Sequence, residues 1–308
     1  MVSVIIPNYN HAKYLDARIQ SILNQSYRDF EIIILDDCST DNSKDIMEKY
    51  RDNAFVTHIV YNEHNSGSTF KQWEKGFELA KGELVWIAES DDCCDTSFLE
   101  ALVPKFRNKN VVLAFSRSLK FSDEGDLGIH HLQMKLKESF ESKGVDFIKQ
   151  YLSKVNVVAN ASSAIIRKSI IKNLPNDYCN YRGCGDWLFW IYIAEQGNVY
   201  YEAKSLNHFR QHLSNTTNHL NKSGNNQREV LKIYNYLSEK EYIKGIRKKY
   251  FRAILLESCL SNDKLDNRDV RKSVLDEWNI SFTDYAFLFL VKPYRWLMRL
   301  YNNYRYSS

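Results

Sequence analysis

The sequence predicts an α/β fold with a doubly wound, mostly parallel sheet flanked by helices, followed by a C-terminal helical extension. Two observations carry this prediction. Short apolar runs rich in β-branched residues alternate with segments of helical periodicity from residue 2 to about residue 118. After residue 226 only helical periodicity recurs. Strands that alternate with helices form a mostly parallel sheet through right-handed crossovers, and ligands then bind at the carboxyl ends of the strands.

The alternation can be followed in chain order. Predicted strands are VSVII (2–6), EIIIL (31–35), FVTHIVY (55–61), ELVWIA (83–88) and VVLAFSRS (111–118). Between them, helical spacing of apolar residues predicts helices over 15–23, 43–51, 69–80 and 97–106. Ser43 is a favoured N-cap residue, and Gly82 follows the third helix where a helix commonly ends. The first two strands and their helix therefore form a βαβ unit, which then repeats.

The pattern loosens beyond this point. Residues 120–160 are polar and mixed, ASSAIIRKS predicts a strand end that runs into a short helix, and DWLFWIYIAEQG predicts an amphipathic helix ended by Gly197. Residues 208–225 are rich in Asn, Ser, Thr and His without apolar periodicity, which predicts a long loop. We therefore divide the chain into residues 1–118, residues 119–225 of the same domain, and a C-terminal helical region, 226–308.

Composition narrows the functional classes. The 308 residues include 42 basic and 38 acidic ones, and this balance gives no argument for nucleic-acid binding. No basic segment followed by an apolar one opens the chain, and the late apolar run AFLFLV is far shorter than the roughly 20 residues of a spanning helix. We expect a cytoplasmic protein. The final KPYRWLMRLYNNYRYSS, which mixes aromatic and basic residues, suits peripheral contact with the inner face of a membrane, a helical hairpin or a dimer contact.

Acidic residues follow two of the predicted strands. Asp36 and Asp37 come directly after EIIIL, and Glu89, Asp91 and Asp92 come after ELVWIA. A single acidic pair in a loop is commonly a helix cap or a solvated turn. Two such groups at one edge of one sheet favour a hard cation instead, because Mg²⁺ and Mn²⁺ prefer oxygen ligands and bind the diphosphates of substrates.

These segments carry a family resemblance. VSVIIPNYNHAKYLDARIQSILNQSYRDFEIIILDDCSTDNS resembles the opening of the family 2 glycosyltransferases, which have the GT-A fold and use nucleotide-sugars to build polysaccharides and glycoconjugates. NSG at 65–67 and GELVWIAESDD at 82–92 follow where the family has its Asn-x-Gly and Asp-x-Asp regions. The resemblance extends to about residue 218. It implies that residues 1–118 bind the nucleotide-sugar and that residues 119–225 bind the acceptor.

The resemblance also implies roles for single residues. Pro7 and Tyr9 line the nucleobase pocket, and Asp37 accepts a hydrogen bond from the imide N–H of uracil. A carboxylate suits this task because it only accepts hydrogen bonds, and the imide offers a donor that cytosine lacks. Asp91 bonds the ribose hydroxyls, and Asp92 ligates the metal that bridges the diphosphate. Glu89 is given none of these roles. It occupies the position at which the commonest family pattern has its first Asp.

GCGDWLFW resembles the acceptor-side motif of the family and makes Asp186 the general base. The family usually has Glu-Asp here, whereas this chain has Gly185 before Asp186. The structural alternative is that Asp186 caps the helix that it opens.

The segment FRQHLSN, at 209–215, resembles the basic loop that follows the acceptor motif. Arg210 and His212 would then reach the diphosphate when this loop orders over the bound donor. Lys71 is a weaker candidate for a phosphate contact. The alternatives are a solvated polar loop for the first two and an exposed helix lysine for Lys71. His11 is expected at the surface.

The combined prediction is an inverting glycosyltransferase. It uses a UDP-sugar, Mn²⁺ or Mg²⁺, an aspartate base, and a hydroxyl of a glycan or lipid-linked acceptor. A sugar-phosphate nucleotidylyltransferase would need a Gly-rich basic loop after the first strand, and PNYNHAKY contains no glycine. A dinucleotide dehydrogenase lacks its G-x-G-x-x-G motif. A catalytically inactive nucleotide-sugar-binding module is a further alternative, and the intact aspartates argue against it.

Overall fold

A computed structural model describes residues 1–212, 223–261, 268–291 and 293. The strands are β1 (Val2–Asn8), β2 (Phe30–Asp36), β3 (Val56–Tyr61), β4 (Leu84–Ile87), β5 (Cys93–Cys94), β6 (Val111–Ser122), β7 (Gly125–Ile129), β8 (Phe140–Lys143), β9 (Ala164–Arg167) and β10 (Asn198–Arg210). The helices are α1 (Ala12–Leu23), α2 (Ser43–Glu48), α3 (Thr69–Leu79), α4 (Phe98–Leu102), α5 (Gly144–Phe147), α6 (Lys168–Ile171), α7 (Gly185–Glu195), α8 (Asn225–Glu239), α9 (Gly245–Ser261) and α10 (Arg268–Glu277). Residues 282–291 are also helical.

One sheet organises the first two thirds of the chain, with strands in the order β3-β2-β1-β4-β9-β6-β10-β5. The four strands from β3 to β4 are parallel, as the alternation predicts, and β6 is parallel to β10. Strand β9 runs antiparallel between β4 and β6, while β7 and β8 pair antiparallel with β6 and β10. The predicted α/β fold with a central, mostly parallel sheet and C-terminal helices is confirmed.

The core lies on both faces of the central strands. Every residue of β1 and β2 is buried, because helices cover both faces of a parallel sheet. Helix α1 buries Leu15, Ile19 and Ile22 against one face, as its apolar spacing predicts. Arg18 lies in the same buried stripe.

The chain forms two compact units. The first contains Met1–Tyr181 and Gly185–Leu213, and the second contains Arg182–Cys184 and Ser214–Ser308. Within the second unit, the carboxylate of Glu229 on α8 accepts the backbone N–H groups of Arg182, Gly183 and Cys184 at 2.7–2.9 Å. Every candidate catalytic, nucleotide-binding and metal-binding residue named from the sequence lies in the first unit.

Two sequence predictions need correction. Strand β10 continues to Arg210, so the predicted loop over 208–225 does not begin at residue 208, and Asn225 already opens α8. Helix α7 is not amphipathic, because every residue from Leu188 to Ala194 is buried. Two predictions fall outside the described residues. One is the part of the predicted loop over 213–222. The other is nearly all of the segment from Lys292 onwards, which was expected to contact a membrane, form a helical hairpin or make a dimer contact.

Candidate functional site

The two acidic groups leave the sheet at the same edge, one on each side of β1. Asn8, the last residue of β1, pairs with Asp36 of β2. The N–H of Asp37 donates to the carbonyl of Asn8 at 2.9 Å, and on the other side the N–H of Ala88 donates to the carbonyl of Ile5 at 2.8 Å. Parallel strands therefore bring together residues that are about fifty positions apart in the sequence, as a doubly wound sheet predicts.

The first group, Asp36 and Asp37, is here named the β2 cluster. Asp36 is buried and holds the turn that follows its strand. Its Oδ1 accepts the side-chain amide of Asn8 at 3.0 Å, and its Oδ2 accepts the backbone N–H of Ser39 at 2.9 Å. Both carboxylate oxygens are thus occupied by protein donors, and Asp36 has a structural role in the turn.

Asp37 is 5% exposed and is surrounded by hydrogen-bond donors. Its Oδ1 accepts the side-chain amides of Asn62 at 2.7 Å and Gln72 at 2.9 Å, and the backbone N–H of Ser66 at 2.8 Å. Among the described residues, its Oδ2 accepts one hydrogen bond, from the hydroxyl of Ser66 at 2.8 Å. Each carboxylate oxygen has about two lone-pair sites, so Oδ2 retains capacity for one more donor.

The second group, Glu89, Asp91 and Asp92, is here named the β4 cluster, and it has fewer compensating donors. Burial, reinforced by the charge of Asp91, raises the pKa of Glu89 to about 8, although the indole N–H of Trp73 donates to its Oε1 at 3.0 Å. Asp92 is 1% exposed. Burial and the charge of Asp91 raise the pKa of Asp92 to about 7. Three carboxyl groups in this space resist simultaneous ionisation without a cation.

Asp92 is held by hydrogen bonds from residues that lie far away in the sequence. Its Oδ1 accepts the backbone N–H of Arg210 at 2.9 Å, and its Oδ2 accepts the side-chain amide of Asn160. This arrangement follows from β5, which comes directly after Asp92 and pairs antiparallel with β10. The end of β10 is therefore held against the β4 cluster.

Asp91 carries the carboxylate that faces two imidazoles. Its Oδ2 lies 2.9 Å from Nε2 of His212, and His11 is held nearby by a 2.8 Å hydrogen bond between its Nδ1 and the hydroxyl of Ser90. Burial opposes ionisation of Asp91, but the hydrogen bond with His212 and the charges of both histidines lower its pKa. His11 is half-buried, so the expectation that it lies at the surface is wrong.

These three residues form a donor set that fits a divalent cation. One ligand atom each from His11, Asp91 and His212 lies within 4.8 Å of the other two. Burial lowers the pKa of His11, which favours the neutral imidazole that metal binding requires. Mg²⁺ prefers oxygen ligands, whereas imidazole nitrogen is a common ligand of transition metals.

Arg210 is engaged within the protein. Its guanidinium lies 4.6 Å from the ring centroid of Tyr14 and 4.3 Å from that of Phe121. Its Nε donates to the carbonyl of Asp91 at 2.8 Å, and its Nη1 forms a 2.8 Å ion pair with Asp123. Lys13 also pairs with Asp123. In this conformation Arg210 stabilises the backbone of the β4 cluster.

Asp186 lies in the first turn of α7 and is half-buried. Its Oδ2 accepts the side-chain amide of Asn156 at 2.7 Å, and its Oδ1 accepts the N–H of Trp187 at 2.7 Å. Helix α7 packs against α3, where the ring of Trp73 lies 5.6 Å from that of Phe189. The same Trp73 donates to Glu89, so the middle of α7 packs against a residue that contacts the β4 cluster.

The glycine that replaces the usual glutamate has a steric reason. A Cβ at Gly185 would lie 2.6 Å from the carbonyl oxygen of Tyr178 and 2.6 Å from the ring of Phe70. Because the first of these atoms belongs to the backbone, no side-chain rotation relieves the overlap. This position of α7 therefore requires glycine in the present packing.

The remaining predicted residues lie around the same edge. Pro7 is buried in β1, and Tyr9, just beyond the strand, is 47% exposed. Lys71 is exposed on α3, and its Nζ donates to the carbonyl of Ser66 at 3.3 Å, next to the donors that surround Asp37.

Sequence reasoning missed several polar residues that hold the acidic ones. Gln72 and Trp73 are neighbours on α3, and they contact Asp37 and Glu89 respectively. Asn160 contacts Asp92 from outside any regular element. Residues 72 and 73 sit in a helix whose apolar spacing is all that the sequence reveals, so only the tertiary structure identifies these contacts. The side-chain amide at 160 carries no pattern at all.

A cavity of about 1000 Å³ lies at the opposite edge of the sheet, beside the amino end of β4. Its lining includes Phe77, Lys81, Arg167, Ile171, Lys172 and Tyr178. It contains none of the predicted site residues. We place the functional site at the carboxyl edge, because ligands of doubly wound sheets bind there and the perturbed carboxyl groups are there.

Comparison with known proteins identifies the family. The family model described as Glycosyl transferase family 2 matches residues 3–174. The chain belongs to glycosyltransferase family 2. Among curated relatives, the putative teichuronic acid biosynthesis glycosyltransferase TuaG of Bacillus subtilis is 34% identical over 125 residues, which are 41% of this chain and 49% of TuaG. The matched segment thus spans less than half of that relative.

Two solved structures share the GT-A fold. Staphylococcus aureus TarS 1–349 in complex with UDP-GlcNAc has a TM-score of 0.68 at 19% identity, covering 90% of this chain and 80% of that one. The mannosyltransferase PcManGT of Pyrobaculum calidifontis, in complex with GDP-Man and Mn²⁺, has a TM-score of 0.56 at 15% identity, covering 96% and 81%. Within the described residues, no helix has the length and apolar character needed to cross a membrane.

Proposed function

We propose that the protein is an inverting glycosyltransferase that moves a sugar from a UDP-sugar to a hydroxyl group of a glycan or lipid-linked acceptor. The observation that carries the proposal is the β4 cluster. It combines carboxyl groups of raised pKa with two imidazoles at the edge of the sheet where nucleotides bind. Such a site is suited to a cation and, through the cation, to a diphosphate.

We assign the nucleoside to the neighbouring β2 cluster. Oδ2 of Asp37 has capacity for one further donor, which matches the single imide N–H of uracil. Pro7 and Tyr9 are at the end of β1, beside this carboxylate, and would provide the walls of the base pocket. PcManGT is described in complex with GDP-Man, so the choice of uridine in this chain rests on Asp37.

We assign the divalent cation to the β4 cluster. Asp91, His212 and His11 offer the converging ligand atoms, with Mn²⁺ favoured over Mg²⁺. Sequence resemblance instead assigns the ion to Asp92 and the ribose to Asp91. Asp92 is the more deeply buried residue, and both of its oxygens accept protein donors. The cation, when bound, stabilises the negative charge that develops on the leaving diphosphate.

We assign proton removal to Asp186. A base must accept the proton of the acceptor hydroxyl as that oxygen attacks the sugar. The hydrogen bond from Asn156 to Oδ2 fixes the orientation of the Asp186 carboxylate. The steric exclusion of a side chain at Gly185 leaves this reaction with one carboxylate where the family usually has two.

His212 connects the donor site with the segment that follows β10, and Lys71 lies beside the donors of Asp37. For Arg210 to contact a diphosphate, its ion pair with Asp123 has to break. We therefore propose that Arg210 in this conformation holds the backbone at Asp91, and that it contacts the phosphate only after donor binding.

The acceptor class is supported by the relatives. TuaG is named for teichuronic acid biosynthesis, and TarS is named as a poly(ribitol-phosphate) β-N-acetylglucosaminyltransferase. We propose a related glycan or lipid-linked acceptor, a cytoplasmic location, and peripheral contact with the inner face of the membrane. Liposome co-sedimentation of the full chain and of residues 1–280 tests the membrane contact, and equal partitioning would contradict it.

A thermal-shift panel of UDP-, GDP- and other nucleotide-sugars, with and without Mn²⁺, tests the donor assignment. We expect the largest stabilisation from a UDP-sugar together with Mn²⁺. A larger shift with GDP-sugars, or shifts that do not depend on Mn²⁺, would contradict the assignment. The preferred donor then serves in a transfer assay.

Asp186→Asn should keep donor binding and lower the transfer rate by at least about 100-fold, the usual contribution of a positioned base. The matched control is Asp146→Asn, which changes an exposed aspartate in the first turn of α5. Equal loss of donor affinity and of transfer in Asp186→Asn would show that Asp186 holds the donor rather than the proton. Full transfer activity would remove Asp186 from the mechanism.

A catalytically inactive binding module would bind the donor but transfer no sugar with any acceptor. Membership of glycosyltransferase family 2 argues against a nucleotidylyltransferase. Incubation with a sugar 1-phosphate and UTP gives the direct test, because only a nucleotidylyltransferase forms pyrophosphate from them.

A further inference from the structure

Arg18 is a charged residue in the middle of an apolar helix face. Helix α1 buries Leu15, Arg18, Ile19 and Ile22, which recur at the three- and four-residue spacing of a core-facing stripe. Arg18 is 0% exposed. Arginine is almost never fully buried unless its charge is paired, so this position needs a physical explanation.

The guanidinium of Arg18 makes no hydrogen bond. Nε, Nη1 and Nη2 are all buried and lack a partner in the described part of the chain. Its one directed contact is with an aromatic ring, at 4.9 Å from the ring centroid of Trp86 in β4. A guanidinium stays charged at any pH that proteins experience, so it cannot lose this charge by deprotonation. An opposite charge must therefore compensate it.

The β4 cluster is the source of that opposite charge. Trp86 is three residues before Glu89, and its indole N–H donates at 2.9 Å to the carbonyl of Ser162, whose hydroxyl accepts the N–H of Glu89 at 3.0 Å. Arg18 thus contacts the strand that carries the cluster. The same helix also contacts the chain directly after the cluster, because the Sγ of Cys94, two residues beyond Asp92, donates to the carbonyl of Ser21 on α1 at 3.6 Å.

We propose that Arg18 is the internal counter-charge of the β4 cluster, and that it limits how tightly the cluster binds a divalent cation. This inference rests on the proposed function. Before a cation binds, Arg18 offsets the negative charge that the cluster carries. When the cation arrives, the same buried charge repels it. The cluster then binds the ion weakly enough for a metal–nucleotide product to leave after transfer.

If Arg18 acts as a counter-charge, the cation affinity of the cluster depends on the charge of residue 18 and not on its volume. Arg18→Met keeps an unbranched apolar chain of similar reach and removes the charge, whereas Arg18→Lys keeps the charge. Arg28→Met is the matched control, because Arg28 also stacks on an aromatic ring, at 4.4 Å from the Phe55 centroid, but donates to backbone carbonyls near the surface.

The test is the Mn²⁺ dissociation constant, measured by electron paramagnetic resonance of free Mn²⁺, together with urea unfolding in chelator and in Mn²⁺. Removal of a nearby buried unit charge should tighten Mn²⁺ binding by at least about tenfold in Arg18→Met. By linkage, Mn²⁺ should then stabilise this variant more than it stabilises the wild type. Arg18→Lys and Arg28→Met should bind Mn²⁺ within about twofold of the wild type.

If the wild type binds Mn²⁺ and Arg18→Met binds it equally well or more weakly, the proposed counter-charge role of Arg18 is contradicted. Equal tightening in Arg18→Met and Arg18→Lys would also overturn it, because packing would then be the cause. Absence of Mn²⁺ binding in the wild type would instead refute the proposed cation site. If Arg18→Met folds only with Mn²⁺ present, the proposal is supported. If it fails to fold in both conditions, Arg18→Gln provides the neutral variant, with the same expected tightening and the same contradicting result.

Discussion

The β2 cluster and the β4 cluster are both acidic, both follow buried parallel strands, and both lie at one edge of the sheet, yet their surroundings differ. Asp37 accepts four hydrogen bonds from three neighbouring residues. The β4 cluster has few donors for its three carboxyl groups, and two of them have raised pKa values. Protein donors thus satisfy the first cluster, which agrees with its proposed role in a fixed nucleoside contact. The second cluster has fewer donors for each carboxyl group, which agrees with its proposed role in cation binding.

The largest effect on folding is expected in the β2 cluster. Asp37→Asn places an amide where the carboxylate accepts several N–H and O–H donors, so some buried donors lose their acceptor. The free energy of unfolding should fall by about 2 to 3 kcal/mol, with or without Mn²⁺. Urea unfolding measures this change, with Asp45→Asn on α2 as an exposed control. A fall that Mn²⁺ reverses would remove the distinction between the clusters.

His11→Ala sharpens the comparison from the β4 side. Loss of one of three converging ligands should weaken Mn²⁺ binding about tenfold, with little change in stability in chelator. His64→Ala, at an exposed position, is the control. The paramagnetic signal of free Mn²⁺ gives the affinity directly. An unchanged affinity would leave Asp91 and His212 as ligands and remove His11 from the site.

The smallest expected effect is on the pH dependence of stability, to which Glu89 of the β4 cluster should contribute. A glutamate in the unfolded chain has a pKa of about 4.3, whereas that of Glu89 in the folded protein is about 8. Between these values the folded state holds a proton that the unfolded state has lost. In chelator, the contribution of Glu89 to stability is therefore present below about pH 4 and is lost as the pH rises towards 8.

Glu89→Gln should remove this loss, because a neutral amide does not titrate and still offers an oxygen to the indole N–H of Trp73. We expect the variant to be about 1 kcal/mol more stable than the wild type at pH 8 in chelator. Its unfolding free energy should also vary less between pH 5 and pH 8. An equal slope in variant and wild type would mean that Glu89 ionises normally in the folded protein.

The fold followed from local patterns in the sequence. The β-branched runs at 2–6 and 31–35 and the apolar spacing of 15–23 correspond to β1, β2 and α1, because burial on both faces or on one stripe leaves a periodic trace. The last residues of β10, from 208 to 210, mix polar and aromatic side chains without apolar periodicity, which is why the sequence predicts a loop there instead of a strand.

The acidic residues of the site were also predictable, because two aspartate pairs after two strands form a local pattern. Their partners were not. Asn160, Gln72 and His11 contact the clusters only in the tertiary structure. Each is an isolated residue in the sequence and belongs to no recognisable pattern. The pairing of β5 with β10 brings Arg210 and His212 to the β4 cluster, and no periodicity over these residues signals a two-residue strand.

The proposed cation site is tested most directly by the Mn²⁺ affinities of three variants measured side by side: Asp91→Asn, Asp92→Asn and Asp37→Asn. If Asp91 presents the carboxylate ligand, Asp91→Asn should weaken Mn²⁺ binding by about 100-fold, Asp92→Asn by much less, and Asp37→Asn should bind as the wild type does. A 100-fold loss in Asp92→Asn with normal binding in Asp91→Asn would assign the ion to Asp92. Equal Mn²⁺ binding in all three variants and the wild type would contradict a cation site in the β4 cluster.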